Sequence, residues 1–185
     1  WNRKMQWPDT GLKWIATSGL IDDYQAVVGY AMAGLGTEGT DWSTGLGQRH
    51  AFRVLIYPKK SPEDIVAELR RYKIPGISFR EVKEKDPSGK VREGVYVEVS
   101  DWDAWRPTEL SCYMHLAAVR WSRTNPFQSL GSRESQTFNI HFGVSEWLDA
   151  LKAHGAKVDV TAFIKNWSAQ AAEFRQQSEK FRIYP

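Results

Sequence analysis

Residues 77–99 read ISFREVKEKDPSGKVREGVYVEV and carry the clearest structural signal in the chain. In the last five residues of this stretch, valine alternates with tyrosine or glutamate, which is typical of a strand that buries one face. The turn-forming residues Asp86–Gly89 divide the stretch near its middle. It therefore predicts a β-hairpin with strands at 77–83 and 91–99.

Helical patterns surround the hairpin on both sides. The sharpest start is at Ser61 and Pro62, because serine caps a helix and proline fits its first turn. Helices are predicted at 22–33, 61–72, 108–121 and 144–153 and after Asp159, with a further strand at 50–57 and a polar loop at 123–140. Together these elements predict a single α+β domain over residues 1–185, a small antiparallel or mixed β-sheet packed with several α-helices.

The composition argues against several classes of protein. The formal charge of +3 comes from basic and acidic residues that are mixed along the chain, without the basic run of a nucleic-acid-binding tail. The single cysteine, Cys112, excludes an internal disulfide, and no segment approaches the roughly 18 apolar residues of a membrane span. The four histidines are scattered without metal-ligand spacing. We therefore expect no metal, no cofactor, no nucleic-acid partner and no membrane span.

A glycine-rich loop, GLGTEGTDWSTGLGQ at 34–48, joins the helix at 22–33 to the strand at 50–57. Its glycines match a dinucleotide fingerprint as a string, but that fingerprint needs a strand before it and a helix after it. The order here is the reverse, so dinucleotide binding is disfavoured.

The same loop holds candidate substrate contacts. Glycine lets the backbone approach a ligand closely, so the polar and aromatic side chains of such a loop can reach a bound substrate. These candidates are Glu38, Asp41, Trp42, Arg49 and His50. In the competing interpretation the loop is a connector whose glycines only provide unusual φ angles, and any single tryptophan packs in the core.

The segment Asp101–Pro107, DWDAWRP, has the highest density of functional residue types. Aromatic faces combined with charged groups are typical of sugar binding, so Trp102 and Asp103 are further candidate contacts. The structural interpretation is favoured for two other residues of the segment. Asp101 is expected to cap a turn and Arg106 to pair with an acid.

Four strings in register resemble the exo-β-N-acetylmuramidase family. The strings are Glu38-Gly39-Thr40-Asp41 followed by Ser43-x-Gly45-x-Gly47 and Phe52, then Ile74–Arg80, then Gly94–Val97 followed by Asp101–Pro107, and finally Trp167 through Tyr184. The resemblance covers nearly the whole chain and matches only the C-terminal half of that family. It differs in the loop, where Asp41, Leu46 and Gln48 replace an asparagine, an arginine and a threonine of the family pattern.

The resemblance implies a two-part enzyme of the bacterial cell envelope. A Rossmann-like N-terminal half would carry the carboxylate chemistry, and this C-terminal half would close the substrate cleft. Such enzymes remove N-acetylmuramic acid from the non-reducing ends of peptidoglycan fragments. If the family arginine at position 46 binds the lactyl carboxylate of that sugar, its role is either lost here or taken over by Arg49.

The chemistry of glycoside hydrolysis sets a limit on this chain. It usually needs two carboxyl groups that flank the scissile bond, roughly 5 to 10 Å apart. Glu38 is a possible assisting carboxylate, and no residue clearly supplies the second. The first hypothesis is therefore a substrate-cleft domain that binds a peptidoglycan-derived sugar and is inactive without its N-terminal half. The alternative hypothesis is a non-catalytic glycan-binding or protein-interaction module.

Overall fold

The computed structural model describes residues 2–46, 49–86 and 88–183. Trp1, Gly47, Gln48, Pro87, Tyr184 and Pro185 lie outside these ranges. The fold is α+β, as predicted, with one four-stranded antiparallel sheet in the order β1-β2-β4-β3. The strands are β1 (Ser43–Thr44), β2 (Val54–Ile56), β3 (Ile77–Lys85) and β4 (Val91–Val99). The helices are α1 (Tyr24–Ala33), α2 (Pro62–Arg70), α3 (Pro107–Trp121), α4 (Ser132–Phe142), α5 (Glu146–His154) and α6 (Val160–Glu179).

The predicted hairpin is the centre of the sheet. β3 and β4 pair along their full length, from Ile77 opposite Val99 to Lys85 opposite Val91. The alternation of valines has the expected consequence, because Val95 and Val97 are fully buried in a cluster with residues of α1, α2 and α3. β2 adds to the other edge of β4, so that the hairpin supplies most of the sheet surface on which the helices pack.

Helix α3 lies between two hydrophobic clusters. One of its faces packs on the sheet through Leu110, Met114 and Ala117. The opposite face contributes Cys112 and Leu116 to a cluster with residues of α4, α5 and α6. Burying both faces of one helix accounts for its apolar sequence on all sides. Burial also raises the pKa of the Cys112 thiol, which makes this cysteine a packing residue and not a nucleophile.

Two predicted elements were wrong. Residues 123–140 were predicted as a loop, but Ser132–Phe142 form α4. This segment has few apolar residues, and tertiary packing of the fully buried Phe138 stabilises the helix in spite of its polar composition.

The strand predicted at 50–57 is shorter in the structure, where only Val54–Ile56 form a strand. Residues before it form a tight turn in which His50 and Phe52 have positive φ angles of 51° and 60°.

None of the helices in the described residues is long and apolar enough to cross a bilayer. Within the same residues, no group of three or more His, Cys, Asp or Glu side chains comes together in a way that could hold a metal ion.

Candidate active-site surface

The first turn of α1 borders two pockets, and both contain residues that the sequence selected. The arginine pocket, of about 610 Å³, is lined by Asp22, Asp23, Gln25, Ala26, Arg49, His50, Ala51, Arg53, Glu84 and Tyr96. The tryptophan pocket, of about 850 Å³, is lined by Arg3, Lys4, Met5, Gln6, Trp7, Thr10, Trp14, Tyr24, Val27, Asp101, Trp102 and Asp103. Tyr24 and Val27 line one pocket and Gln25 and Ala26 line the other, so the two cavities lie on either side of the start of α1.

The floor of the arginine pocket is a buried guanidinium. Arg53 is only 3% exposed, donates from Nε to the Val97 carbonyl at 2.8 Å and donates from Nη1 to Gln25. Its Cζ lies 4.9 Å from the centre of the Tyr96 ring, within cation–π range. Burial lowers the pKa of Arg53 from its ordinary value, and the nearby Tyr96 and acidic groups oppose that change.

A glycine makes room for this arginine. A Cβ on Gly29 of α1 would lie 2.8 Å from Cδ of Arg53 and 2.7 Å from the Phe52 carbonyl oxygen. These distances are shorter than side-chain carbons tolerate. The turn that contains Phe52 can therefore approach α1 closely enough to direct Arg53 towards β4.

The rim of the arginine pocket is polar and accessible. The Arg49 side chain is 61% exposed, and its Nη1 lies 3.6 Å from a carboxylate oxygen of Glu84. His50 contacts the same carboxylate through Nε2 at 3.1 Å and packs edge-on to the Tyr96 ring. Glu84 belongs to β3, so the hairpin fixes the position of both residues of the turn. Among the described residues, the ionic partner of Arg49 is the Glu84 carboxylate, whose side chain is 34% exposed.

The tryptophan pocket is formed where the N-terminal segment meets the turn after β4. Trp7 and Trp14 pack edge to face at 5.2 Å, and Trp102, which is 40% exposed, packs in the same way against Trp105 at 5.2 Å. The indole nitrogen of Trp7 is buried, and none of the described residues accepts a hydrogen bond from it. This pocket combines an accessible indole face with an unused donor.

Asp101 and Asp103 have different roles in this turn. A carboxylate oxygen of Asp101 accepts from the backbone N–H groups of Asp103 at 3.0 Å and Ala104 at 3.1 Å, which is the capping role expected for it. Asp103 is exposed and lines the pocket. The turn packs closely against Gly76. A Cβ at this position would lie 2.5 Å from the Trp105 nitrogen and from the Asp101 carbonyl oxygen, so a residue with a side chain would push the turn away.

Glu38 lies apart from both pockets. One of its carboxylate oxygens is hydrogen-bonded to Nδ1 of His141 on α4. The other oxygen, Oε2, is buried and has no hydrogen-bond partner among the described residues. Within the residues that the structure describes, no hydrogen bond or ion pair joins Glu38 to Arg49, His50 or Trp102.

Comparison with known proteins places this geometry in a family. A family model described as "Exo-beta-N-acetylmuramidase NamZ, C-terminal" matches residues 28–184. The chain belongs to this family. A crystal structure of a DUF1343 family protein from Bacteroides fragilis has the same fold, with a TM-score of 0.82 at 22% sequence identity. The match covers 100% of this chain and 49% of that chain, so the present chain spans about half the length of the Bacteroides protein. None of the curated proteins matches the sequence significantly.

Within the NamZ C-terminal fold, Trp42 does not face a cleft as the sequence analysis expected. It is 7% exposed, donates from its indole nitrogen to the Met114 carbonyl at 2.8 Å, and packs against Tyr57 and Trp121. The core interpretation therefore applies to Trp42. Asp41 beside it is exposed but lines neither pocket.

The position where the family pattern has a loop arginine is also different. Leu46 is buried and packs with Val54 and Val82 on the second face of the sheet. It contributes to packing and offers no group to a ligand. Arg49 is the nearest arginine in the sequence, and it does lie at a pocket rim.

Sequence reasoning did not select Arg53, Tyr96 or the N-terminal tryptophans as site residues. One signal for Arg53 was available, because a charge in the apolar run HAFRVLIY must find partners in the interior. Trp7 and Trp14 carried no such signal, since only the folded arrangement brings them next to the turn that follows β4.

Proposed function

We propose that this chain is the substrate-binding wall of a two-part exo-β-N-acetylmuramidase, and that it holds the non-reducing N-acetylmuramic acid of a peptidoglycan fragment. The observation that carries the proposal is the arginine pocket, in which an exposed Arg49 stands at the rim above the buried Arg53. Such a substrate places the enzyme in the bacterial cell envelope.

The chemistry of the pocket suits a sugar that carries a carboxylate. A guanidinium recognises a carboxylate through two parallel hydrogen bonds, which a neutral sugar cannot offer. Arg49 would exchange Glu84 for the lactyl carboxylate, and this exchange costs little because the existing pair is exposed to solvent. Asp22 and Glu84 line the same pocket and would accept hydrogen bonds from sugar hydroxyls.

The tryptophan pocket is assigned to the rest of the fragment. Trp102 presents an exposed indole face on which the apolar face of a pyranose ring can stack, and Asp103 can accept from its hydroxyls. Because this pocket and the arginine pocket meet at α1, one saccharide chain can occupy both.

We infer that bond cleavage requires the N-terminal half. Glu38 is the candidate assisting carboxylate in this chain, and it is engaged with His141 outside both pockets. The second carboxyl group that the reaction needs would come from the N-terminal half. Accordingly, we expect no turnover of a chromogenic muramide by residues 1–185 alone, and measurable turnover by that chain would refute the assignment of the acid to the other half.

Tryptophan fluorescence tests the binding proposal, since the chain has nine indoles. Titration with a MurNAc–GlcNAc disaccharide should give a saturable change, and Arg49→Ala should weaken binding by about tenfold or more because a charge-assisted contact is lost. Arg71→Ala is a matched control. Arg71 is 68% exposed and pairs with Glu68 at 3.1 Å, but it lines neither pocket.

The same titration separates the alternative function. A chitin disaccharide has no lactyl carboxylate, so it should bind more weakly than the muramyl sugar and should not respond to Arg49→Ala. Equal affinities for the two sugars, both insensitive to Arg49→Ala, would indicate a general glycan-binding module. Binding of neither sugar to the full two-part protein would contradict the proposal.

A further inference from the structure

Helix α6 has one continuous apolar stripe. The N-terminal half of this stripe is packed against the domain, and its C-terminal half is exposed. In its first half, Phe163 and Trp167 pack against Trp147 with ring centres 5.1 and 5.9 Å apart. The same stripe continues at helical spacing through Ala171 to Phe174, which is 69% exposed. Helices usually gain most of their stability from burying such a face, so the second half of α6 presents a face that nothing in the described chain covers.

A groove lies beside this exposed stripe. It has a volume of about 320 Å³ and is bounded by the start of α3 on one side and by Trp167, Ala171 and Arg175 of α6 on the other. An exposed apolar stripe that borders a groove is typical of a surface that another protein segment covers.

The position of the N-terminal segment indicates what covers this face. The turn at 101–106 separates the groove from the tryptophan pocket, and Trp102 and Trp105 pack together across it. Arg3 and Lys4 line the tryptophan pocket next to that turn. A preceding half would therefore join this domain on the other side of that turn from the groove. The Bacteroides protein with this fold is about twice as long, and the matching family model is the C-terminal one.

We propose that the exposed half of α6 and the adjoining groove are the docking surface for the N-terminal half of the full-length protein. The inference rests on the proposed function only for the existence of that half, and its contacts are distinct from the sugar contacts. The surface presents an apolar centre at Ala171 and Phe174 flanked by the guanidinium groups of Arg106 and Arg175. It fits a partner surface with an apolar patch bordered by carboxylates.

Hydrogen–deuterium exchange of the full-length protein tests this surface without any sugar. Amides of residues 169–179 should exchange at least tenfold more slowly in the full-length protein than in residues 1–185. Phe174→Glu should remove that protection. Ile140→Glu is the matched control, because Ile140 on α4 is also 69% exposed and lies outside the groove. Circular dichroism of each variant in the isolated chain checks that it still folds, as expected for exposed positions.

Two results would overturn the proposal. Equal exchange in the long and short forms, or equal effects of Phe174→Glu and Ile140→Glu, would show that the N-terminal half does not cover this face. Sedimentation of residues 1–185 as a dimer that Phe174→Glu disrupts would assign the face to a second copy of the chain. Failure of the sugar proposal would appear separately, as an Arg49→Ala variant with unchanged sugar affinity and unchanged protection of α6.

Discussion

The interior of the protein and the rim of its candidate site use the same three types of side chain in opposite ways. The matched residues, interior member first, are Arg53 and Arg49, His115 and His50, and Trp42 and Trp102. Each interior member directs a nitrogen at a fixed partner in the fold. The rim members are between about one third and two thirds exposed, and Arg49 and His50 both contact the Glu84 carboxylate.

The difference follows from the surroundings of each group. In the interior, a polar group without a partner loses its hydration and gains nothing in return, so a buried nitrogen is stabilised by a hydrogen-bond partner within the fold. At the rim, water and salt weaken every ion pair, and a partner can be exchanged for a ligand at little cost. The interior members therefore stabilise the fold, and under the proposed function the rim members contact the substrate.

The largest effect is expected for Arg53→Met. The substitution leaves the Val97 carbonyl and the Gln25 side chain without their buried donor, and it removes the cation–π contact with Tyr96. We expect the free energy of unfolding to fall by about 3 kcal/mol, because a buried acceptor loses a hydrogen bond from a charged donor. Urea denaturation followed by tryptophan fluorescence measures this loss.

Arg49→Met is the rim counterpart of that substitution. It should change the free energy of unfolding by less than about 0.5 kcal/mol, because the Arg49 side chain is exposed and its ion pair is screened. If the two methionine variants lost similar stability, the division between interior and rim would be wrong for arginine.

Acid should destabilise the protein through His115. Its Nδ1 accepts from the Trp147 indole at 2.9 Å, and burial lowers its pKa from 6.5 to about 4. A group with a depressed folded-state pKa is neutral in the fold, so its full contribution is present above pH 6.5. That contribution is lost as the pH falls from 6.5 towards 4, because the unfolded chain binds the proton first. The loss is about 3 kcal/mol at most.

A pair of histidine variants isolates this effect. The free energy of unfolding of His115→Phe should depend much less on pH between 6.5 and 4.5 than that of the unsubstituted protein. His50→Phe should keep the original dependence, since it leaves the buried histidine in place. Burial raises the pKa of Glu109, which acts in the opposite direction in acid and is common to all three proteins. A pH dependence that survives in His115→Phe would have another source.

Trp42→Phe should have a smaller but clear effect. The phenyl ring keeps much of the contact with Tyr57, but the buried Met114 carbonyl loses the indole donor at 2.8 Å. We expect a loss of about 2 kcal/mol, from one lost buried hydrogen bond and a small cavity. Trp102→Phe should lower the free energy of unfolding by less than about 0.5 kcal/mol, because this side chain is partly exposed. Urea denaturation of both variants measures the difference.

The fold was predictable where the sequence has a regular period. Alternating valines in β4 identify a half-buried strand without any other information, and the serine and proline before α2 mark its start. The prediction failed where packing outweighs composition. α4 is polar and is held by the single buried Phe138, which a periodic pattern cannot reveal.

The candidate site was predictable only in part, for a geometric reason. Arg49 and His50 are adjacent, so one turn carries both to the same rim. Glu38 belongs to the same glycine-rich loop, but Gly36 and Gly39 adopt positive φ angles and turn the chain towards α4 before it reaches the strand. The direction of the chain after such glycines depends on contacts that are distant in sequence. One is Leu130, whose Cδ2 would lie 2.2 Å from a Cβ at position 39.

Glu84→Gln should produce the smallest change in stability, and it tests whether this carboxylate controls Arg49 at the rim. The carboxylate pairs with Arg49 and His50, but all three side chains are exposed to solvent, so the free energy of unfolding should change by less than about 0.5 kcal/mol. Removing a carboxylate that competes for Arg49 should nevertheless tighten binding of the muramyl disaccharide by about two- to threefold at low salt. Binding of the neutral chitin disaccharide should not change.

Glu93→Gln is the control for this last substitution. Glu93 lies on the same hairpin and pairs with the exposed Lys83, but it does not line the arginine pocket. It should leave both sugar affinities unchanged. If Glu93→Gln tightened muramyl binding as much as Glu84→Gln, the gain would come from the overall charge of the domain, and the carboxylate at the rim would have no specific part in controlling Arg49.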